Sequence, residues 1–140
     1  MASVVLDLAP TFLPIGHMRQ ITRVTSLTGA RAVGEVELSE HNWVYAEHFP
    51  GDPIFPGTLL IEAAGQLVAL WAWARGDRGR PRLVRTSAEF LQPVTPTVPR
   101  LTLEAQVRRK RRLSLGTVRI WAGEIEVATV EALLVVLPFS

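Results

Sequence analysis

The strongest constraint on the fold lies in residues 47–75, where a proline-stiffened loop runs directly into a helix with almost no polar face. Pro50, Pro53 and Pro56 fix their own φ and push Phe49, Asp52 and Phe55 towards extended backbone. Gly51 and Gly57 are the expected points of reversal, because glycine reaches positive φ without strain. From Thr58 to about Arg75 the composition is that of a helix former. At about 1.5 Å per residue this helix spans roughly 27 Å, enough to cross a small domain. Leu59, Leu60, Ile61, Ala63, Ala64, Leu67, Val68 and the run Ala69–Trp73 cover nearly its whole circumference, which predicts burial on every side. The apolar run is shorter than the ~20 residues of a membrane span and contains Glu62, so no membrane association is expected.

The same stretch points to chemistry. Glu62 is the only charged residue of the helix before Arg75, and Thr58, Glu62 and Gln66 recur every fourth position, which puts them on one stripe. A carboxylate buried there needs a partner or keeps its proton. His48 stands at the head of the stiff loop, where its ring has few places to go, as a positioned base requires. The helix start at Gly57–Thr58 adds unpaired N–H groups and the positive end of the helix dipole. Base, acid and oxyanion donors thus come from one short segment. The plainer alternative is a core glutamate satisfied by Thr58 and Gln66, with a structural histidine nearby.

The run His48-Phe49-Pro50-Gly51-Asp52-Pro53-Ile54-Phe55-Pro56-Gly57, followed by Leu60-Ile61-Glu62-Ala63 and Gln66, resembles the β-hydroxyacyl-acyl-carrier-protein dehydratases of the FabA/FabZ type. The resemblance continues more weakly through Ser87–Val94 and covers most of the chain after about Ile21. It implies the hotdog fold, a long central helix wrapped by a curved antiparallel sheet. It also implies a catalytic histidine at His48, a catalytic acid at Glu62 and a backbone donor to the thioester carbonyl at Gly57, with Gln66 as the polar residue one turn after the acid. Such sites form between two subunits, the histidine from one and the acid from the other. Two positions depart from the pattern: Glu47 replaces the small residue before the histidine, and Pro96-Thr97-Val98 replaces a Pro-Gly-Asp turn.

The remaining sequence bounds the answer. One hundred and forty residues make a single domain, 1–140, able to bury a core. The absence of cysteine excludes disulfides, a thiol nucleophile and cysteine metal sites. Residues 1–15 lack a basic region before a clean apolar stretch, so a cytoplasmic location is expected. Residues 1–17, punctuated by Pro10 and Pro14, read as an irregular lead-in. Strands are expected at 19–27, 30–38, 83–91, 99–108, 113–121 and 125–137, with a change of phase after Leu115 and a bulge at Gly116. Trp43 and Tyr45, on the approach to the loop, and Phe55 within it are candidates for a pocket wall, and His41 reads as a surface histidine. Two strands, one apolar helix and four strands give an α+β plan in which the sheet wraps the helix.

With the resemblance, these observations lead to the expectation of an α+β hotdog protein that eliminates water from a (3R)-3-hydroxyacyl thioester to give a trans-2-enoyl thioester. His48 takes the α proton, Glu62 protonates the leaving hydroxyl, and the Gly57 N–H holds the enolate-like oxygen. Gln66, Thr58, Tyr45 and Phe55 are expected to contact the substrate. No metal or redox cofactor is expected, the acyl group arriving on the phosphopantetheine arm of an acyl carrier protein. Arg108, Arg109, Lys110, Arg111 and Arg112, the densest charge run, are expected to receive that acidic partner, with Arg75, Arg78, Arg80 and Arg82 next in line. Neither aromatic interleaving nor a recognition motif accompanies the run, so nucleic acid is not expected. A homodimer, or an oligomer of dimers, should cover the loop and the strand edges. A hotdog thioesterase and a non-catalytic acyl-binding hotdog are the competing readings.

Overall fold

The computed structural model describes residues 13–49 and 51–139; Pro50, Pro10 and the first part of the lead-in lie outside them. A 3-10 turn at Gly16–Met18 precedes β1 (Arg23–Thr28) and β2 (Arg31–Glu37). Two helices follow, α1 (Trp43–Glu47) and α2 (Gly57–Ala74), then β3 (Arg80–Phe90), β4 (Arg100–Lys110), β5 (Leu113–Ala122) and β6 (Ile125–Leu137). Every pairing is antiparallel, in the order β1-β2-β4-β5-β6-β3. The expected α+β plan is therefore present. The segment missed from sequence is α1, whose five residues are too few to show a helical period; Asn42 caps it, its side chain accepting from the Val44 N–H at 3.0 Å.

α2 packs on one face of the sheet and touches β2 to β6. Leu67, Val68 and Leu70 of the helix and Leu103, Val118, Ile120 and Val130 of the strands are fully buried in one cluster. Each such side chain contributes about 1.5–3 kcal/mol on burial. The closest approach is at Gly116, where a Cβ would lie 2.3 Å from Val68 Cγ2. Gly116 therefore makes room for the helix and does not mark a bulge: it pairs regularly with Val107 and Ala132. Nor does β5 change phase, for Ser114, Gly116, Val118 and Ile120 all face α2 while Leu113 and Leu115 face outward. Register shifts occur instead at Val24/Ser26, Leu83/Arg85 and Ile120/Trp121.

Burial of α2 on every side does not hold within one protomer. Thr58 is exposed, and Ile61, Glu62 and Gly65 are half-buried along one open stripe. By length and mean hydropathy, 1.3 over 18 residues, the helix would pass for a membrane span. Here its apolar side is taken up by the strands. Beside the open stripe runs β3, an edge strand paired only with β6, which accommodates Pro81 because a free edge needs no N–H donor there. Its Leu83 and Val84 are 45% and 56% exposed.

Candidate active site

The loop before α2 is tied to the strands at several points. The Phe55 N–H donates to Val94 O at 2.8 Å, and the Tyr45 hydroxyl of α1 donates to Thr95 O at 3.3 Å. Tyr45 and Phe55 are both buried, their rings edge-on at 6.5 Å. Burial raises the Tyr45 phenol above its usual range. Tyr45 thus clamps α1 to the β3–β4 connection, while Phe55 also lines a cavity. Of the two expected reversals only Gly51 has positive φ, at 88°. Gly57 is needed for a different reason: a Cβ there would meet three atoms of the Phe90 ring at 2.6–3.0 Å.

His48 ends α1, half-buried against Phe49, and its Nδ1 lies 3.1 Å from Ile54 O. A carbonyl only accepts, so Nδ1 carries a proton, and in the neutral ring the lone pair is on Nε2. Glu47 is exposed next to it. Trp43 stacks on His17 at 4.5 Å, which is packing, and His41 lies on the surface beside Glu40. Among the described residues no three metal-ligating side chains converge.

Around Glu62 the geometry is set by Gln66. The buried amide of Gln66 accepts from the Gln20 N–H at 2.9 Å and the Ile21 N–H at 3.2 Å. It donates to Met18 O at 2.7 Å and to Glu62 Oε2 at 2.8 Å. All four of its hydrogen-bonding positions are therefore used within the protein, which makes Gln66 a positioning residue for the acid. Residues 19–22, expected as the start of the first strand, lie ahead of it, and two of them, Gln20 and Ile21, bond this amide across α2.

Two cavities flank the open stripe. One, of about 490 Å³, is bounded by Phe55, Gly57, Thr58, Ile61, Phe90 and the 91–94 segment. The other, of about 210 Å³, is bounded by Pro14, Glu62, Gln66, Arg82 and Leu83, with Ile61 shared between them. At the first cavity Pro56 is the N-cap and has no side chain to bond the first N–H groups of α2. Gly57, Thr58 and Phe55 thus meet at one cavity and Glu62 and Gln66 at its neighbour. His48 and Tyr45 line neither.

The basic run sits elsewhere. Arg111 and Arg112 form a two-residue turn between β4 and β5, Arg111 at φ 58°. Arg109 is ion-paired to Asp77, just beyond the C-terminal end of α2. The run therefore lies at the opposite end of the 18-residue helix from Gly57, about 27 Å away. The expectation that it borders the pocket mouth within a protomer fails, because the strand direction carries the β4–β5 hairpin away from the loop. Arg82 is the basic residue that borders the Glu62 cavity.

A six-stranded antiparallel sheet on one long helix, with a proline loop feeding the helix N-terminus, is the hotdog architecture, and solved structures bear this out. Over 91% of this chain and 90% of that one, the dehydratase heterocomplex ApeI:P from Xenorhabdus doucetiae superposes with TM-score 0.72 at 16% identity. A thioesterase mutant from Staphylococcus aureus gives TM-score 0.67 at 13% identity over 82% of this chain and 92% of that one. AziG from S. sahachiroi gives 0.65 at 23% identity over 83% and 90%. The profile of the FabA-like domain matches residues 13–131, and the chain belongs to that family.

Proposed function

We propose that this protein is a 3-hydroxyacyl thioester dehydratase, its substrate delivered on the phosphopantetheine arm of an acyl carrier protein. The observation that supports the reading is the bond from His48 Nδ1 to Ile54 O, which orients the ring and makes Nε2 the basic nitrogen of the neutral imidazole, beside the loop that leads into α2. His48 Nε2 takes the α proton, and the electron pair of that C–H bond forms the new double bond. Charge gathering on the thioester oxygen is met by the N–H at Gly57, an interaction worth about 2.7–4 kcal/mol where it has been removed from other enzymes. Glu62, with Oε2 occupied by Gln66, delivers a proton from Oε1 to the departing hydroxyl, which leaves as water. No metal or redox group is called for. The acyl chain occupies the cavity under Phe55 and Phe90.

His48 and Glu62 line no common cavity in one protomer, so the reading requires a second protomer whose Glu62 faces His48. The exposed edge of β3 and the open stripe of α2 offer the surface for that homodimer. Hydrolysis is the second reading, supported by a half-buried glutamate beside a cavity, placed to activate water. Mass spectrometry on 3-hydroxyacyl carriers of graded chain length decides between them. Dehydration should give a product lighter by one water and still carrier-bound, and should be lost in His48→Ala and Glu62→Gln. Release of free acid, or binding without turnover, would sink the proposal.

A further inference from the structure

The outer face of the sheet, turned away from α2, carries an arrangement of which the candidate site touches only Arg82, at the β3 edge. Register aligns Arg82 of β3, Val135 of β6, Leu113 of β5 and Lys110 of β4 in one row across the strands. The next row is Arg85, Leu133, Leu115 and Arg108. Both rows face outward, since their chain neighbours Leu134, Ser114 and Val107 are buried against the helix side. Four branched aliphatic side chains therefore lie together with a cation at each end of each row. The four cations are exposed; Leu115, Leu133 and Val135 are half-buried, and Arg85, Leu115 and Leu133 line a shallow depression that Glu131, on the next outward row, also borders without an ion pair to any of the four.

The charges on the rest of this sheet are arranged differently. Arg23 bonds Glu35 and Glu37, Arg31 bonds Glu104, Arg100 bonds Glu37 and Arg119 bonds Glu126. Among the described residues no carboxylate pairs with Arg82, Arg85, Arg108 or Lys110. We infer that this face docks an acidic amphipathic segment of another protein, with apolar residues along its centre and carboxylates on both flanks. Charge complementarity selects that occupant over a second copy of the chain, because an isologous contact centred on the patch would set cations against cations. Three of the four aliphatic side chains are less exposed than the cations, which fits a convex segment better than a flat lipid surface; the exposed Phe139 stands beyond the patch, against Arg80. The patch adjoins the end of β3 nearest the α2 C-terminus, whereas Phe90 at the other end covers Gly57, so docking here is separate from acyl delivery.

The test uses the full-length protein and a fluorescent helical peptide with leucine on one face and glutamate on both flanks. Anisotropy should show saturable binding that weakens about tenfold or more between low and high salt. The same peptide with lysine in place of glutamate should not bind. Arg85→Glu with Lys110→Glu should weaken binding by about tenfold or more, and Leu115→Thr should do so without altering charge. Both variants should keep wild-type turnover of a small acyl thioester, which separates failure here from failure of the dehydratase reading. No binding, equal binding of the lysine peptide, or indifference to both variants would overturn the inference. So would two other patterns in the absence of peptide binding: variant-sensitive binding to phosphatidylglycerol vesicles, which makes the face a membrane surface, or variant-sensitive self-association in sedimentation, which makes it an interface between copies.

Discussion

A methyl group at residue 57 would lie within 2.6–3.0 Å of three atoms of the Phe90 ring. Phe90 is 53% exposed, so the ring has somewhere to go, and a substitution there should shift it across the cavity and not unfold the chain. Gly57→Ala should therefore lower kcat/KM by about tenfold or more while moving the melting temperature little. Adding Phe90→Leu should restore part of the loss, and steady-state kinetics on the two single variants and the double variant measure that coupling. A double variant no better than Gly57→Ala would show that the contact is irrelevant. The need for glycine was legible in the sequence, but its reason was not. Proline spacing suggested a reversal, whereas the constraint comes from a ring supplied by a strand more than thirty positions away. Arg109 is a similar case: composition marked it as one of five docking cations, and only the fold shows that Asp77 holds it.

At the scale of elements, β6 and α2 could be read almost to the residue because each is long and its apolar pattern is unbroken. β5 was misread because Leu113 and Leu115 look like core residues, yet alternation forces them outward once Ser114 and Gly116 face the helix. Gly116→Ala tests that account directly. Overpacking against Val68 should cost about 1–3 kcal/mol in urea unfolding. Val68→Ala in the same chain should return part of it by vacating the space that Cγ2 occupies. If Gly116→Ala is neutral, the helix does not rest on the sheet as closely as described. The candidate residues His48, Gly57 and Glu62 stood out in the sequence for the same reason that the loop did: they share one short local segment. Spacing along a chain does not give distance across it, however: only the resemblance implied that His48 and Glu62 stand apart within a protomer, and the residues themselves did not show that Gly57 and Glu62 border different cavities while His48 borders neither.

For the molecule as a whole, the separation of His48 from Glu62 makes a sharp forecast about mixtures. His48→Ala and Glu62→Gln protomers, each inactive alone, should regain about a quarter of wild-type turnover when unfolded together and refolded at equal ratio. Half the dimers then contain both chains and each of these holds one intact site. A mixture that stays inactive would place the chemistry within one chain. Acid should weaken the fold from a known quarter. Arg23, and then Arg100, hold the Glu37 carboxyl below its ordinary value of 4.5, and Arg119 does the same for Glu126. Carboxylates of this kind are protonated more readily in the unfolded chain, so their stabilisation is complete above that ordinary value and disappears as pH falls through the lowered ones. Melting temperature measured from neutral to acid pH should fall over that interval, and Arg23→Gln together with Arg119→Gln should flatten the fall.

The amide of Gln66 joins Glu62 to the segment just before β1, so that under the proposed reading the acid would be tied to a clock. Its oxygen is held by two backbone N–H groups and its nitrogen by Met18 O and Glu62, so the side chain has one orientation for as long as residues 18–21 stay docked. When that short segment lifts, the amide is released to turn, and an oxygen facing Glu62 would repel the Oε2 that the nitrogen now steadies. The acid is then aligned only during the closed intervals of a segment outside the sheet, where opening takes far less free energy than global unfolding. Deuterium uptake at the Gln20 and Ile21 amides reports the opening equilibrium of that segment, and under the proposed reading a variant that takes up deuterium faster there should turn over more slowly.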